Sequence, residues 1–140
     1  MFDHAHIVTT HQLHADDVQV ILDKARGYRA FFSTEKSSRE FDGAVLINGF
    51  FETSTRTRAS FEIAAKRLGI HVVNFQPGGS SMSKGESFRD TLLTLDAMNP
   101  DIMVIRHVAS GSALFATTTV KSHVLNAGDG MHEHLSLIHI

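Results

Sequence analysis

From Ala15 to Phe32 the apolar positions Val18, Ile21, Leu22, Ala25, Tyr28 and Phe32 return every three or four residues, which is one stripe of an amphipathic helix. The spacing predicts a helix that packs by that stripe. Ala44 to Phe51, after Asp42-Gly43, is a short apolar run instead, and it predicts a strand buried on both faces, as in a parallel sheet. The polar stretch Glu52 to Arg58 follows at once. Ala59, Phe61, Ile63, Ala64, Ala65 and Leu68 then resume a helical pattern, and Gly69 stops it where a glycine cap belongs. Strand, polar turn and helix are therefore contiguous.

The alternation repeats. Ile70 to Phe75 reads as a strand, and Gln76 to Lys84 as a Pro, Gly and Ser loop without periodicity. Ser83 and Glu86 have capping-box spacing for a helix running to about Met98. Asp101 to Ile105 predicts another strand, Ala113 to Ala116 a short helix, His123 to Asn126 a further strand, and Gly128-Asp129-Gly130 a turn. Helices alternating with short apolar strands imply right-handed crossovers. The expected fold is α/β: a three-layer, doubly wound, mostly parallel sheet with helices on both faces. Such sheets hold ligands outside the carboxyl ends of their strands, and each polar segment discussed below follows a strand.

Composition narrows the function classes. A chain of 140 residues, 42% hydrophobic and 20% charged, suits one soluble domain with a single core. It has no apolar run of the roughly 18 residues that span a bilayer, and Met1-Phe2-Asp3-His4 lacks the order of a signal peptide, so the cytoplasm is expected. Without cysteine, chemistry must come from Ser, Thr, His, Lys, Arg or carboxylates. A net charge of −2 gives no field for nucleic acid or membranes, so an anionic partner must be caught by local geometry. Among ten histidines, His4 with His6 and His132 with His134 have alternate spacing that invites a metal reading. Zinc wants three or four fixed ligands, and these pairs fall in apparent termini and turns, so no metal and no cofactor is expected. The four histidines of the first fourteen residues read as a polar leader, and His132 as a solvent-facing loop residue.

Ser54-Thr55-Arg56-Thr57-Arg58, between a buried strand and a helix start, combines free backbone N–H groups, a helix dipole, three hydroxyls and two guanidiniums. That is the chemistry of a phosphate trap. The bland alternative is a capped helix whose arginines form surface ion pairs. The longer stretch Phe50-Phe51-Glu52-Thr53-Ser54-Thr55-Arg56-Thr57-Arg58-Ala59-Ser60-Phe61-Glu62 resembles the signature of the aspartate/ornithine carbamoyltransferase family. The resemblance extends from about Gln12 to His134. Within it, Ser80 to Ser87 resembles the segment that an adjacent subunit lends to the active site, which implies that Ser80 and Lys84 reach a neighbour's ligand. Arg106 and His107 are similar to the family's Arg-His pair, with Arg106 on the substrate carbonyl. Leu125 to Gly130 followed by His134 looks like the aspartate branch, although Leu135, Ser136 and Leu137 stand where that branch carries Pro-Thr-Gln.

The resemblance implies transfer of the carbamoyl group of carbamoyl phosphate to the amine of L-aspartate, an early step of pyrimidine biosynthesis. Ser54, Thr55, Arg56 and Thr57 would seat the phosphate, with Arg56 taking up charge as it leaves. Thr57, Arg106 and His134 would converge on the carbonyl oxygen, and Arg58 would form a structural ion pair. Residues 1–134 would be the carbamoyl-phosphate-binding domain and 135–140 an aberrant tail, with no counterpart of the aspartate-binding domain. The chain alone is therefore expected to have little or no activity. The implied assembly is a homotrimer with shared active sites, and regulatory or dihydroorotase chains stay open as further partners. An ornithine-specific transferase and a non-catalytic phosphate-binding homologue are the alternatives.

Overall fold

A computed structural model of the chain describes residues 3–77 and 85–132. Ser80, Lys84, His134 and the 135–140 segment lie outside the described residues. The elements in order are α1 (Ala15–Thr34), β1 (Val45–Phe50), α2 (Thr55–Arg67), β2 (His71–Phe75), α3 (Phe88–Asp96), β3 (Ile102–His107), α4 (Ser112–Thr117) and β4 (His123–Asp129). The four strands are parallel in the order β2-β1-β3-β4. Strand residues alternate between two cores. Leu46 and Phe50 of β1 pack with Ala65 of α2, whereas Ile47 packs with Leu92 and Leu95 of α3 and Ala116 of α4. Helices thus cover both faces, as the alternating pattern predicts. The chain runs outward from β1 to β2 and then crosses back to β3, so the sheet reverses its winding between β1 and β3. Such a switch point opens a crevice at the carboxyl ends of the two strands.

Three expectations change. The helix before β3 begins at Phe88, with Ser87 as its cap: the Ser87 hydroxyl accepts from the Asp90 N–H at 3.2 Å, so the Ser83/Glu86 spacing does not place the start. β4 continues past Asn126 to Asp129, and the turn follows it. The first residues are more than a polar leader. Ile7 forms a parallel bridge to Leu125, with Ile7 N–H donating to Val124 O and Asn126 N–H to Ile7 O, both at 2.9 Å. Val8 packs on the core behind this bridge. His4 and His6 serve different partners, for His4 Nε2 lies 2.9 Å from Asp17 Oδ2 while His6 Nδ1 accepts from Val124 N–H at 3.1 Å. His123 Nδ1 lies 2.7 Å from Ala5 O.

This arrangement makes stability depend on pH. Burial, and then the neighbouring His123, lowers the pKa of His6 from its ordinary 6.5, and burial lowers that of His107. Each therefore binds a proton more readily in the unfolded chain. Their contribution is intact above about pH 6.5 and is lost as pH falls through the folded values. The urea midpoint should fall between about pH 7.5 and 5.5, and His6→Gln should flatten that dependence; a dependence of the same slope in the variant counts against the bridge as its origin.

The stripe of α1 is only half-buried. Asp17 is the one buried residue of the helix, and Val20 and Phe31 remain exposed on another side. The helix is tied down by the Tyr28 hydroxyl, which donates to Glu40 at 2.8 Å, and by the Arg67 guanidinium over the Phe32 ring. Gly27 lies in its interior, and a Cβ there meets nothing within 4 Å. Gly27→Ala should raise unfolding stability by about 0.5–1 kcal/mol, because alanine restricts the unfolded chain and favours the helix. An unchanged or lower urea midpoint is the opposing result. Among the described residues no helix is long and apolar enough to cross a membrane.

Candidate functional site

β1 ends at Phe50, and after four intervening residues the chain enters α2 at Thr55. Beside it, Phe50 pairs in register with Arg106, and Phe51 N–H donates to Arg106 O at 2.8 Å. The Ser54-Thr55-Arg56-Thr57 turn and the last residues of β3 therefore meet at the switch point. Ser54 occupies the N-cap position, but its hydroxyl does not cap the helix, and the first bond of the helix is Arg58 N–H to Ser54 O at 3.1 Å. Among the described residues, no side chain caps the N–H groups of Thr55, Arg56 and Thr57. They carry the positive end of a 13-residue helix, a geometry suited to an anion. The capped-helix alternative does not describe this turn.

The side chains divide in a way the sequence does not anticipate. A small cavity of about 30 Å³ is lined by Phe50, Glu52, Thr53, Ser54, Thr55, Arg58 and Gln76. Arg58, expected to form a structural ion pair, donates to the amide oxygen of Gln76 at 2.8 Å and lines this cavity, and its charge helps to lower the pKa of Glu62. Arg56 is exposed on the same first turn, outside the cavity lining, and Thr57 is half-buried. Larger hollows of about 530 and 550 Å³ lie along α1, away from the switch point.

Arg106 is held firmly. Its Nε lies 3.3 Å from Glu52 Oε2, its Nη1 donates to Ala127 O at 3.1 Å, and only 15% of its side chain is exposed. His107 goes the other way, because successive strand residues face opposite sides. Its ring packs against Phe88 and Phe51, and its Nδ1 accepts from the Ala109 N–H at 2.9 Å, with the Ser112 hydroxyl also 2.9 Å away. Burial lowers its pKa from the ordinary 6.5, against the Ala109 contact and the Glu52 charge, which raise it, and its Nδ1 anchors the loop after β3. The turn after β4 is pinned to that same loop. Buried Asp129 accepts from Gly111 N–H at 2.8 Å and from the Asn126 amide at 3.2 Å, and Gly130 N–H donates to His107 O at 2.9 Å. His132 is a solvent-facing loop residue, as expected, with its Nδ1 3.5 Å from Asp129 Oδ2.

The structure thus brings Ser54, Thr55, Arg56, Thr57 and Arg106 to one sheet edge. The sequence reading overlooked Glu52, the Ala127 carbonyl and Gln76. Glu52 had a signal, an acidic residue two positions before the anion turn, whereas a backbone carbonyl and an amide on another strand have none.

Fold and site together define a doubly wound α/β domain with an anion-binding geometry at its switch point. The chain belongs to the aspartate/ornithine carbamoyltransferase family: residues 5–137 match the model of that family's carbamoyl-P binding domain. The aspartate carbamoyltransferase catalytic subunit of Rhodospirillum rubrum is 48% identical over 134 residues, 95% of this chain and 42% of the relative. That of Maricaulis maris is 49% identical over 134 residues, with the same shares. Among solved structures, the catalytic subunit of M. Jannaschii aspartate transcarbamoylase superposes with a TM-score of 0.86 at 36% identity, over 94% of this chain and 43% of that one. The Trypanosoma cruzi aspartate transcarbamoylase, solved with carbamoyl aspartate and phosphate, gives 0.85 at 33% identity, over 93% and 42%. The chain therefore spans about 42% of the length of the curated relatives it matches.

Proposed function

We propose that the chain binds carbamoyl phosphate and forms half of a site that transfers its carbamoyl group to the amine of L-aspartate, a step towards pyrimidines. The observation that carries this reading is the uncapped start of α2 standing beside Arg106 at the switch point. Carbamoyl phosphate joins a dianionic phosphate to a carbonyl, so an enzyme must neutralise one end while polarising the other. Ser54, Thr55, Arg56 and Thr57 seat the phosphate through backbone N–H groups, hydroxyls and a guanidinium. Arg106, with Thr57 and His134, takes the carbonyl oxygen. The amine of aspartate attacks the carbonyl carbon, the C–N bond forms, the C–O bond to phosphate breaks, and the electron pair leaves with phosphate as the amine loses a proton. Arg56 meets the charge growing on the leaving phosphate, and donors placed in advance on the carbonyl oxygen can each supply about 3 kcal/mol at the transition state.

Residues 1–134 act as the carbamoyl-phosphate domain, and Ser80 and Lys84 complete a neighbour's site in a homotrimer working in the cytoplasm. The relatives with carbamoyl aspartate or carbamoyl phosphate and aspartate bound support the choice of substrates. The test is a titration of the chain with carbamoyl phosphate and with a phosphonate analogue of the joined substrates, beside Arg56→Ala. Saturable binding is expected, weakened at least about tenfold in the variant, since a charge-assisted contact to phosphate is lost. Equal affinity of the two chains would remove Arg56 from the phosphate seat.

A further inference from the structure

We infer that Asn126 is a positioning residue for Arg106, acting through the peptide between Ala127 and Gly128. The inference rests on the role proposed for Arg106 and adds to it what keeps that guanidinium in place. Asn126 is 2% exposed, near the carboxyl end of β4. Its side-chain oxygen accepts from the Gly128 N–H at 2.8 Å. The carbonyl of the same peptide unit, Ala127 O, accepts from Arg106 Nη1 at 3.1 Å. A trans peptide is planar, with its N–H and C=O pointing in opposite directions, so fixing one end aims the other. Gly128, at φ +124°, has no Cβ to stop that plane from turning, and the Asn126 oxygen supplies the constraint.

The amide nitrogen anchors the constraint. Asn126 Nδ2 donates to Val8 O at 2.9 Å and to Asp129 Oδ1 at 3.2 Å, so its flat amide is clamped between the N-terminal segment and the turn after β4. A buried asparagine that only satisfied its own hydrogen bonds would need none of this alignment with Arg106. Here the oxygen, not the nitrogen, sets the direction of the carbonyl on which the guanidinium is seated.

The test uses two readings on the chain: hydrogen exchange of the Arg106 Nη1 protons, the group that donates to Ala127 O, followed by ¹⁵N NMR, and the Kd for carbamoyl phosphate. In Asn126→Ala the exchange should quicken about tenfold and the Kd rise about tenfold, the scale of one lost hydrogen bond. Asn126→Ser returns an acceptor to the Gly128 N–H on a shorter arm, and both changes should shrink to roughly threefold. Ordering of the three chains in that sequence supports the inference even if both variants unfold at similar, lower temperatures. Wild-type exchange in a folded Asn126→Ala chain overturns it. Should the alanine chain not fold, wild-type exchange in a folded Asn126→Val chain, which also lacks the acceptor but fills more of the space, overturns it equally. Failure of the unaltered chain to bind carbamoyl phosphate, with exchange still quickened in the variants, sinks the proposed function and leaves the positioning of Arg106 by Asn126 standing.

Discussion

Arg106→Ala should weaken the binding of carbamoyl phosphate about a hundredfold, the largest loss expected of any single side chain in the crevice. Two effects add. A guanidinium hydrogen bond to the ligand is worth about 1.5–3 kcal/mol. The substitution also removes the ion-pair partner of the Glu52 carboxylate, 3.3 Å from Nε, and the donor to the Ala127 carbonyl, 3.1 Å from Nη1. Glu52 then places an unbalanced negative charge beside an anion site. Arg106→Lys should recover little, since an ammonium cannot hold the carboxylate, the carbonyl and a ligand in one plane. Calorimetric titration with carbamoyl phosphate measures this directly, with near-UV circular dichroism to confirm that the chain is folded. A loss smaller than about threefold would move the carbonyl-binding role away from Arg106.

Gly130→Ala should destabilise the fold by about 3 kcal/mol or more, and should do so without touching the anion turn. Gly130 has φ +61°, and a Cβ built there would lie 2.6 Å from the Val108 carbonyl oxygen and 3.0 Å from Ser110 N. Both are backbone atoms, which cannot swing aside as the end of a side chain can. Relief requires the loops after β3 and β4 to separate, which breaks the bonds of Gly130 N–H to His107 O and of Gly111 N–H to Asp129. The urea midpoint and the thermal midpoint should both drop sharply. Gly27→Ala, where a Cβ meets nothing, is the matched control and moves the other way. A Gly130→Ala chain as stable as the original would show that these loops are not locked together as described.

The anion turn was legible in the sequence because its parts are consecutive. A buried run, a cluster of Ser, Thr and Arg, and a helical pattern follow one another, so strand end, loop and helix start lie together whatever the remainder of the chain does. Element types were legible for the same reason, since periodicity is a local property. The start of α3 was not, because Ser83 and Ser87 both offer capping chemistry and only the packed helix selects between them. The role of the first residues was equally hidden: Ile7 and Leu125 are distant in sequence, and nothing in His4 to Val8 states which strand edge they will join.

By itself, then, the sequence determined that an α/β domain would present Ser54, Thr55, Arg56 and Thr57 at a strand-to-helix turn, because local spacing and the polarity of a helix end require no distant partner. Tertiary structure decided what stands around that turn. Strand order put Arg106 beside Phe50, and alternation along β3 sent His107 to the opposite side. Glu52 and Ala127 became the seat of one guanidinium, and Asn126 came to aim the carbonyl that holds it. Register across a sheet is settled by the packing of whole faces, and a single segment read alone carries no record of the neighbour that such packing will give it.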